Sequence, residues 1–510
     1  MSAPTQAAFD LLVVGAGING AGIARDAAGR GLKVLLIDQG DIAGATSSAS
    51  TKLIHGGLRY LEHYAFGLVR EALTEREHLL ANAPHLVREQ RFIIPHQPAL
   101  RPRWMIRLGL ALYDGLARGS SLAPAQHLRF AGTPYGRPLR DAFTDGFAYS
   151  DLATDDARLC LLNVVSAAQL GAVVRTRTRL VEAHRAGGSW QVRCAAAGDA
   201  PLDCSARVIV NAAGPWVAAV RQSIAGPDTG GRLRLVQGSH IVVPRLYEGA
   251  HAYLLQQADR RIVFAIPFEE AFTLIGTTEV PLAEPLAMPV VSAAELAYLC
   301  SAISGFFRKA VVPADVVWSF AGIRALYDDG RSDPSAVTRE YRLEIDGRAD
   351  QPPLLSVYGG KLTTYRHLAE RALRRVRPWL PALRPAWTAA VHLPGGGLGP
   401  GGLPALLLDL ATRHPGLPPD WLAALARRHG TLARRVIGEA ATETQLGTHF
   451  GGGLYAREVD YLVAREWACT VDDVLWRRTK CGLRVNAAGR AALADHLAAR
   501  QAAGMSGLTD

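Results

Sequence analysis

The sequence predicts an α/β fold: a βαβ unit at the N-terminus, an inserted antiparallel sheet and a helical C-terminal domain. Three observations predict it. An apolar run enters a glycine-spaced turn at residues 11–20, residues 233–280 are strand-rich, and residues 405–500 are rich in Ala, Leu and Arg. With 510 residues, 49% of them apolar, the chain can bury a core large enough for two or three domains. No internal repeat and no coiled-coil heptad is present.

The first element is the apolar run Leu11–Val14. Gly15-Ala16-Gly17-Ile18-Asn19-Gly20 follows, then an Ala-rich helical segment to about Arg30, then a second apolar run, Val34–Ile37, ending at Asp38. This is GxGxxG within a βαβ unit, with an acidic residue at the end of the second strand. The glycines allow a tight turn and close backbone approach, so a pyrophosphate can sit on the helix N-terminus. Asp38 would accept hydrogen bonds from ribose hydroxyls. Gly15, Gly17, Gly20 and Asp38 are therefore cofactor-binding candidates.

The stretch from Thr46 to His63 reads TSSASTKLIHGGLRYLEH. Its first half, including Thr46, Ser47, Ser48, Ser50, Thr51, Lys52 and Leu53, has the small, hydroxylated composition of backbone that lies against a ligand. Its second half sets His55, Arg59, Tyr60 and His63 around Gly56-Gly57.

Residues 68–86 are helical and mixed in charge. Residues 101–140 carry Arg101, Arg103, Arg107, Arg118, Arg129, Arg137 and Arg140 against the single acid Asp114, with Trp104, Met105, Ile106, Leu108, Leu110 and Leu112 interleaved at the start. A surface helix with solvated arginines is the favoured reading, and a membrane-facing patch the alternative. Residues 205–215 (SARVIVNAAGP) read as a buried strand ending in a small-residue turn at Gly214. The segments LRLVQGSHIVVP, RIVFAIPF and FTLIGTTEV suit an antiparallel substrate sheet. Ser356–Thr364 reads as a strand entering a helix, and Pro394–Pro404 as a linker.

This places nucleotide-fold segments at 1–80, 146–225 and 316–385. A cap region falls at 81–145, a substrate sheet at 226–315, a linker at 386–404 and a helical domain at 405–510. The first glycine loop, the NAAG turn and the YGGKLTT turn suit one extended dinucleotide, and a late returning segment favours flavin adenine dinucleotide over a nicotinamide.

Cys160, Cys194, Cys204, Cys300, Cys469 and Cys481 are scattered without a CxxC pair, which argues against disulfides and zinc and favours a reducing compartment. No metal site is expected. No signal peptide precedes the first strand, and no apolar run is long enough to span a bilayer. The net charge of +10 calls for an anionic substrate, nucleic acid or lipid. Nucleic acid is disfavoured, since no recognised binding fold is present and the arginines are not regularly interleaved with aromatics.

The blocks VVGAGINGAGIARDAAGRGL, TSSASTKLIHGGLRYLEH, QGSHIVVP, IGTTEV, YGGKLTTYR and DDVLWRRTK resemble those of the respiratory, FAD-dependent sn-glycerol-3-phosphate dehydrogenases, in that family's order from about residue 9 to 484. The resemblance implies a Rossmann-like FAD-binding fold of the glycine and D-amino-acid oxidase type, with FAD held non-covalently. It implies oxidation of glycerol 3-phosphate to dihydroxyacetone phosphate by hydride transfer to flavin N5. It further implies electron transfer to quinone from a position on the cytoplasmic face of the cell membrane. A glycerol-3-phosphate oxidase making hydrogen peroxide is the alternative.

Residue by residue, the resemblance places Arg59, Tyr60, Arg324, Arg339 and Lys361 at the substrate. Arginine suits a phosphomonoester because its planar fork grips phosphate bidentately. His240 is the first candidate for the base that takes the hydroxyl proton, with His55 the runner-up. Arg324 and Lys361 complete the catalytic set. His55, Gly56, Gly214, Gly360, Leu362, Thr363 and Thr364 join the flavin side. One departure stands out: Ala325 follows Arg324 where the family carries proline, which would stiffen that backbone. Residues 101–118 and Arg371–Arg384, with Trp379 and Leu380, are candidate contacts to an anionic membrane surface. A homodimer is compatible with the chain, the C-terminal domain either making that contact or capping the fold.

Overall fold

The computed structural model describes residues 7–196, 201–225, 231–286, 288–328 and 341–503, with the side chains of Arg59 and His63 outside that description. Ala7–Val14 (β1) runs into Ile18–Gly29 (α1) and then Val34–Ile37 (β2), which lies parallel to β1. These strands form the middle of a sheet in the order Arg342–Asp346, Leu354–Tyr358, Leu202–Asn211, β1, β2, Val173–Arg175. All but the first of these run parallel. Leu11, Leu12 and Val13 are wholly buried because both faces of the sheet are covered, which is why such strands read as continuous apolar runs. On one face α1 packs against Asp156–Gln169 and Tyr365–Val376. On the other lie the hairpin Thr178–Ala186/Ser189–Ala196 and the helix Val217–Ala225.

The second sheet has ten strands. Its longest, Leu233–Pro244, pairs antiparallel with Phe272–Gly276 and Val280–Leu282 along one edge and with Trp318–Tyr327 along the other. Arg88–Pro95, Gln126–Arg129 and Asp145–Ala153 belong to the same sheet. The sequence-based division therefore needs two corrections. The cap region and the substrate sheet form one continuous sheet. Asp145–Ala153 and Trp318–Tyr327, expected with the nucleotide fold, pair here instead, because apolar patterning marks a strand without marking its partner.

The segment 386–404 is packed rather than a free linker. Leu393 is buried and its N–H donates to the Asn82 carbonyl (2.8 Å), while the Arg25 guanidinium lies 4.8 Å above the Trp387 ring. Beyond it, helices Gly402–Arg413, Pro419–His429, Ala456–Glu466 and Ala487–Ala502 build their own apolar clusters. This domain docks through buried charge. Arg158, on the helix Asp156–Gln169, meets Glu466 at 2.5 Å, and the Lys480 ammonium meets Asp155 at 2.9 Å. Against the cost of burial, the Arg428 guanidinium and His429 hold the Glu458 carboxyl down at about 2.

Candidate cofactor and substrate cleft

The strand-to-helix turn is closed tightly. Gly15 has φ of +105°, and a Cβ there would lie 2.6 Å from the Ala212 carbonyl oxygen. A Cβ on Gly20 would lie 1.9 Å from the Gly15 carbonyl oxygen, so only glycine lets α1 start this close to β1. Asp38 accepts from the N–H of Ala16 (2.7 Å) and of Gly40 (2.8 Å). Burial raises its carboxyl above the ordinary range despite these two bonds.

Helix α1 has no side-chain cap from Gly17; the Ser47 hydroxyl takes the Ile18 N–H at 2.9 Å. Asn19 reaches the late glycine turn, its Nδ2 donating to the Gly359 carbonyl at 3.0 Å, while its Oδ1 is buried without a partner among the described residues. Two adjoining cavities, of about 350 and 380 Å³, share Gly17, Thr46, Ser47 and Gly214 and so form one elongated cleft. Gly15, Asp38 and Arg477 line the first; Ser50, Thr51, Leu53, His55, Gly360, Leu362 and Thr363 line the second. The residues fit FAD. Gly17, Ile18 and Asn19 bring the N-terminus of α1 to the cleft, where an anion is favoured, Asp38 stands at the end of β2, and the buried Asn19 oxygen has no partner among the described residues.

The far end of the second cavity carries His240, Arg324, Lys361 and Tyr60. His240 is buried, stacks on Phe320 (4.9 Å between centroids, 12° between planes) and shares a 3.0 Å hydrogen bond between its Nε2 and Thr51 Oγ1. Its Nδ1 is buried without a partner among the described residues. Burial first, then the positive charges of Arg324 and Lys52, hold its pKa well below the usual value, so the ring is neutral. Arg324 Nη1 meets Glu279 at 3.1 Å and Nη2 donates to Thr277 Oγ1 at 3.2 Å. The Lys361 ammonium stands 4.0 Å over the Tyr60 ring. The His55 N–H donates to Thr363 Oγ1 at 3.2 Å, joining the early and late loops. Ala325 lies opposite Leu235 within the antiparallel ladder, so strand pairing fixes the Arg324 backbone without proline.

Several expected cofactor residues do not line the cleft. Lys52 is buried, with its ammonium on Asp156 (2.7 Å) and the Ser48 carbonyl (2.9 Å), so its charge is spent in the scaffold. Ser48 bonds the Ala45 carbonyl, the Gly56 N–H donates to Tyr113 Oη, Gly20 serves helix packing and Thr364 is buried at the start of its helix. Arg339 and the Arg59 side chain lie outside the described residues.

The structure adds Asn19, Arg261, Glu279 and Asp151 to the lining. Asp151 is buried against Tyr113 Oη (2.7 Å) and Arg76 (3.0 Å), and burial pushes its carboxyl up to about 6. No local pattern marks it, since its partners come from two separate helices.

Residues 10–366 match the FAD dependent oxidoreductase family and residues 386–501 the C-terminal domain of alpha-glycerophosphate oxidase, so the segment expected as a linker falls inside the second match. A glycerol-3-phosphate dehydrogenase of Pseudomonas aeruginosa is 51% identical over 496 residues, covering 97% of this chain and 96% of that protein. A D-erythritol 1-phosphate dehydrogenase of Brucella abortus is 45% identical, covering 95% and 97%. The solved structure of the glycerol-3-phosphate dehydrogenase from Bacillus halodurans, complexed with FAD, matches with a TM-score of 0.74 at 28% identity, covering 98% of this chain and 90% of that one. The fold is that of the FAD-dependent amino-acid-oxidase type, and the cofactor is FAD. With both matches in register along nearly its whole length, the chain belongs to the FAD-dependent glycerol-3-phosphate dehydrogenase family of oxidoreductases.

Proposed function

We propose that the protein oxidises sn-glycerol 3-phosphate to dihydroxyacetone phosphate and delivers the electrons to a membrane quinone. The observation that carries this reading is the buried His240, hydrogen-bonded to Thr51, in the same cavity as Arg324 and Lys361. A phosphomonoester dianion needs more than one cation, and the cavity offers these two and Arg261. Arg324, held by Glu279 and Thr277, is already aimed before substrate arrives. His240 takes the proton of the C2 hydroxyl; a ring kept neutral is in the state that accepts one. Lys361, oriented by Tyr60, neutralises the phosphate or the oxygen that loses the proton. FAD, when bound, would supply the acceptor for the hydride leaving C2.

Among the described residues no helix is long and apolar enough to cross a membrane, so the reading requires attachment at the surface. The helix Arg103–Leu116 supplies a face for it. Trp104 (64% exposed), Met105, Leu108 (62%) and Leu112 point outward, while Leu110 and Tyr113 pack inward. Tyr64 and Phe66, also exposed, extend the patch from the turn Leu58–His63, which packs on this helix and carries the cavity-lining Tyr60. Arg101 and Arg107 flank it, as an anionic lipid surface would favour. Arg371–Arg384 does not supply such a face, because Trp379 and Leu380 pack on the protein core.

The test is turnover with glycerol 3-phosphate under two acceptors. Ubiquinone reduction in the presence of phospholipid vesicles, with little peroxide, is expected. Peroxide in stoichiometric yield would assign an oxidase instead. Faster turnover of D-erythritol 1-phosphate would move the substrate to the longer polyol phosphate.

A further inference from the structure

The block DDVLWRRTK lies in the C-terminal domain, yet its Arg477 side chain lines the cofactor cleft. Residues Asp473–Arg478 form a π-helical turn, in which the Thr479 N–H donates to the Val474 carbonyl at 3.1 Å. Such widened turns are rare and concentrate at functional positions. Here the turn lets three consecutive side chains be used. Trp476 stacks on Trp318 at 4.2 Å, and a Cβ on Gly482 would lie 2.6 Å from the Trp476 ring, so the fit at this position requires glycine. Arg477 and Arg478 turn toward Asp41, in the loop that follows Asp38.

Arg478 grips Asp41 bidentately, Nη1 at 2.6 Å and Nη2 at 2.8 Å, and its Nε donates to the Glu466 carbonyl at 3.1 Å. That bond alone would dock the domain. Arg477 adds its Nε to the same carboxylate oxygen at 2.5 Å and lines the cavity beside Asp38 and Gly40. Asp473 meets Arg477 and Arg177. Among the described residues, Arg177, Arg477 and Arg478 pair with Asp41 and Asp473, and of the three arginines it is Arg477 that lines the cleft, where a cation favours an anionic ligand.

We propose that this segment is a clasp over the adenosine end of the cleft: Arg478 seats the Asp41 loop, Arg477 closes over the cofactor, and FAD leaves only when the C-terminal segment lifts. The proposal rests on the cleft being the FAD site. It gives the C-terminal domain a role in cofactor retention beyond covering the fold.

The test uses purified holoenzyme and follows the fluorescence of released FAD after dilution, for wild type, Arg477→Ala and Arg477→Lys. Arg477→Ala should release FAD about 10-fold faster or more, from loss of a charged partner, and Arg477→Lys should recover much of the retention. The thermal midpoint of the FAD-stripped protein should change little between wild type and Arg477→Ala, while that of the loaded form falls. An unchanged release rate in Arg477→Ala would overturn the clasp, as would equal losses of midpoint in stripped and loaded forms, the mark of a docking contact alone. A wild-type protein that binds no FAD would contradict the assignment of the cleft itself.

Discussion

The Asn19 side-chain amide donates to the Gly359 carbonyl oxygen across 340 positions of sequence, at 3.0 Å. This bond joins the first turn of α1, the proposed pyrophosphate site, to the glycine turn that presents Lys361. The two ends of the cleft are therefore mechanically linked, and substitutions at either end have separable effects that can be measured.

At the nucleotide end, Asp38→Ala removes the acceptor for the Ala16 and Gly40 N–H groups as well as the proposed ribose partner. Each buried donor left unpaired costs about 1–3 kcal/mol. The purified variant should be colourless or nearly so, with flavin content far below one per chain, while Asp38→Glu should stay yellow. Full flavin occupancy in Asp38→Ala would show that the site lies elsewhere.

At the substrate end, Arg324→Ala should lower kcat/KM for glycerol 3-phosphate roughly 10- to 150-fold, the equivalent of about 1.5–3 kcal/mol for a hydrogen bond to a charged group. Flavin content should be unchanged. Steady-state kinetics with unphosphorylated glycerol as comparison reads the selectivity. An equal loss on both alcohols would remove Arg324 from the phosphate site.

Asp151 gives a pH signature. Burial raises its carboxyl to about 6, so between the unfolded value near 4 and about 6 the native state holds a proton that the unfolded chain has released. Stability contributed by this group is present at low pH and is lost as pH rises through that window, at up to about 1.4 kcal/mol per unit. Denaturant melts of wild type and Asp151→Asn should diverge in slope between pH 4 and 6, roughly, and run parallel above. Parallel curves throughout would mean that Asp151 titrates as an ordinary carboxylate.

The apolar face of Arg103–Leu116 predicts a double variant, Trp104→Ser with Leu108→Ser, that no longer sediments with anionic vesicles. Burying such side chains is worth about 1.5–3 kcal/mol each when complete, so the bound fraction should drop at least about 10-fold. Turnover with a soluble dye should be kept, since neither side chain lines the cleft. Undiminished sedimentation would move the membrane contact elsewhere.

Much of this site was legible because its chemistry is local. GxGxxG and the late glycine turn act at fixed spacings that the sequence displays directly, and the acid ending β2 closes back on the same loop, its carboxylate meeting Ala16 22 positions earlier. Lys52 reads as a cleft residue in the sequence, but its partner Asp156 lies 104 positions away, and the pair makes it buried scaffold. Trp379 and Leu380 resemble a membrane anchor until the fold sets them on the core. The strand bearing Arg324 was assigned to the wrong sheet, although the residue itself reached the expected pocket. Asp151 and Arg261 have no flanking pattern and are brought to the cleft only by strand pairing.

The proposed oxidation of a phosphorylated alcohol in this cleft, with His240 as base, is tested most directly by anaerobic mixing of the flavin-loaded protein with substrate. Glycerol 3-phosphate should bleach the flavin absorbance within the turnover time, whereas glycerol and lactate should not. His240→Gln, with its flavin retained, should bleach more slowly by roughly 10²- to 10⁴-fold, the usual worth of a positioned base. Absence of bleaching with glycerol 3-phosphate, or equal bleaching by glycerol, would contradict the account.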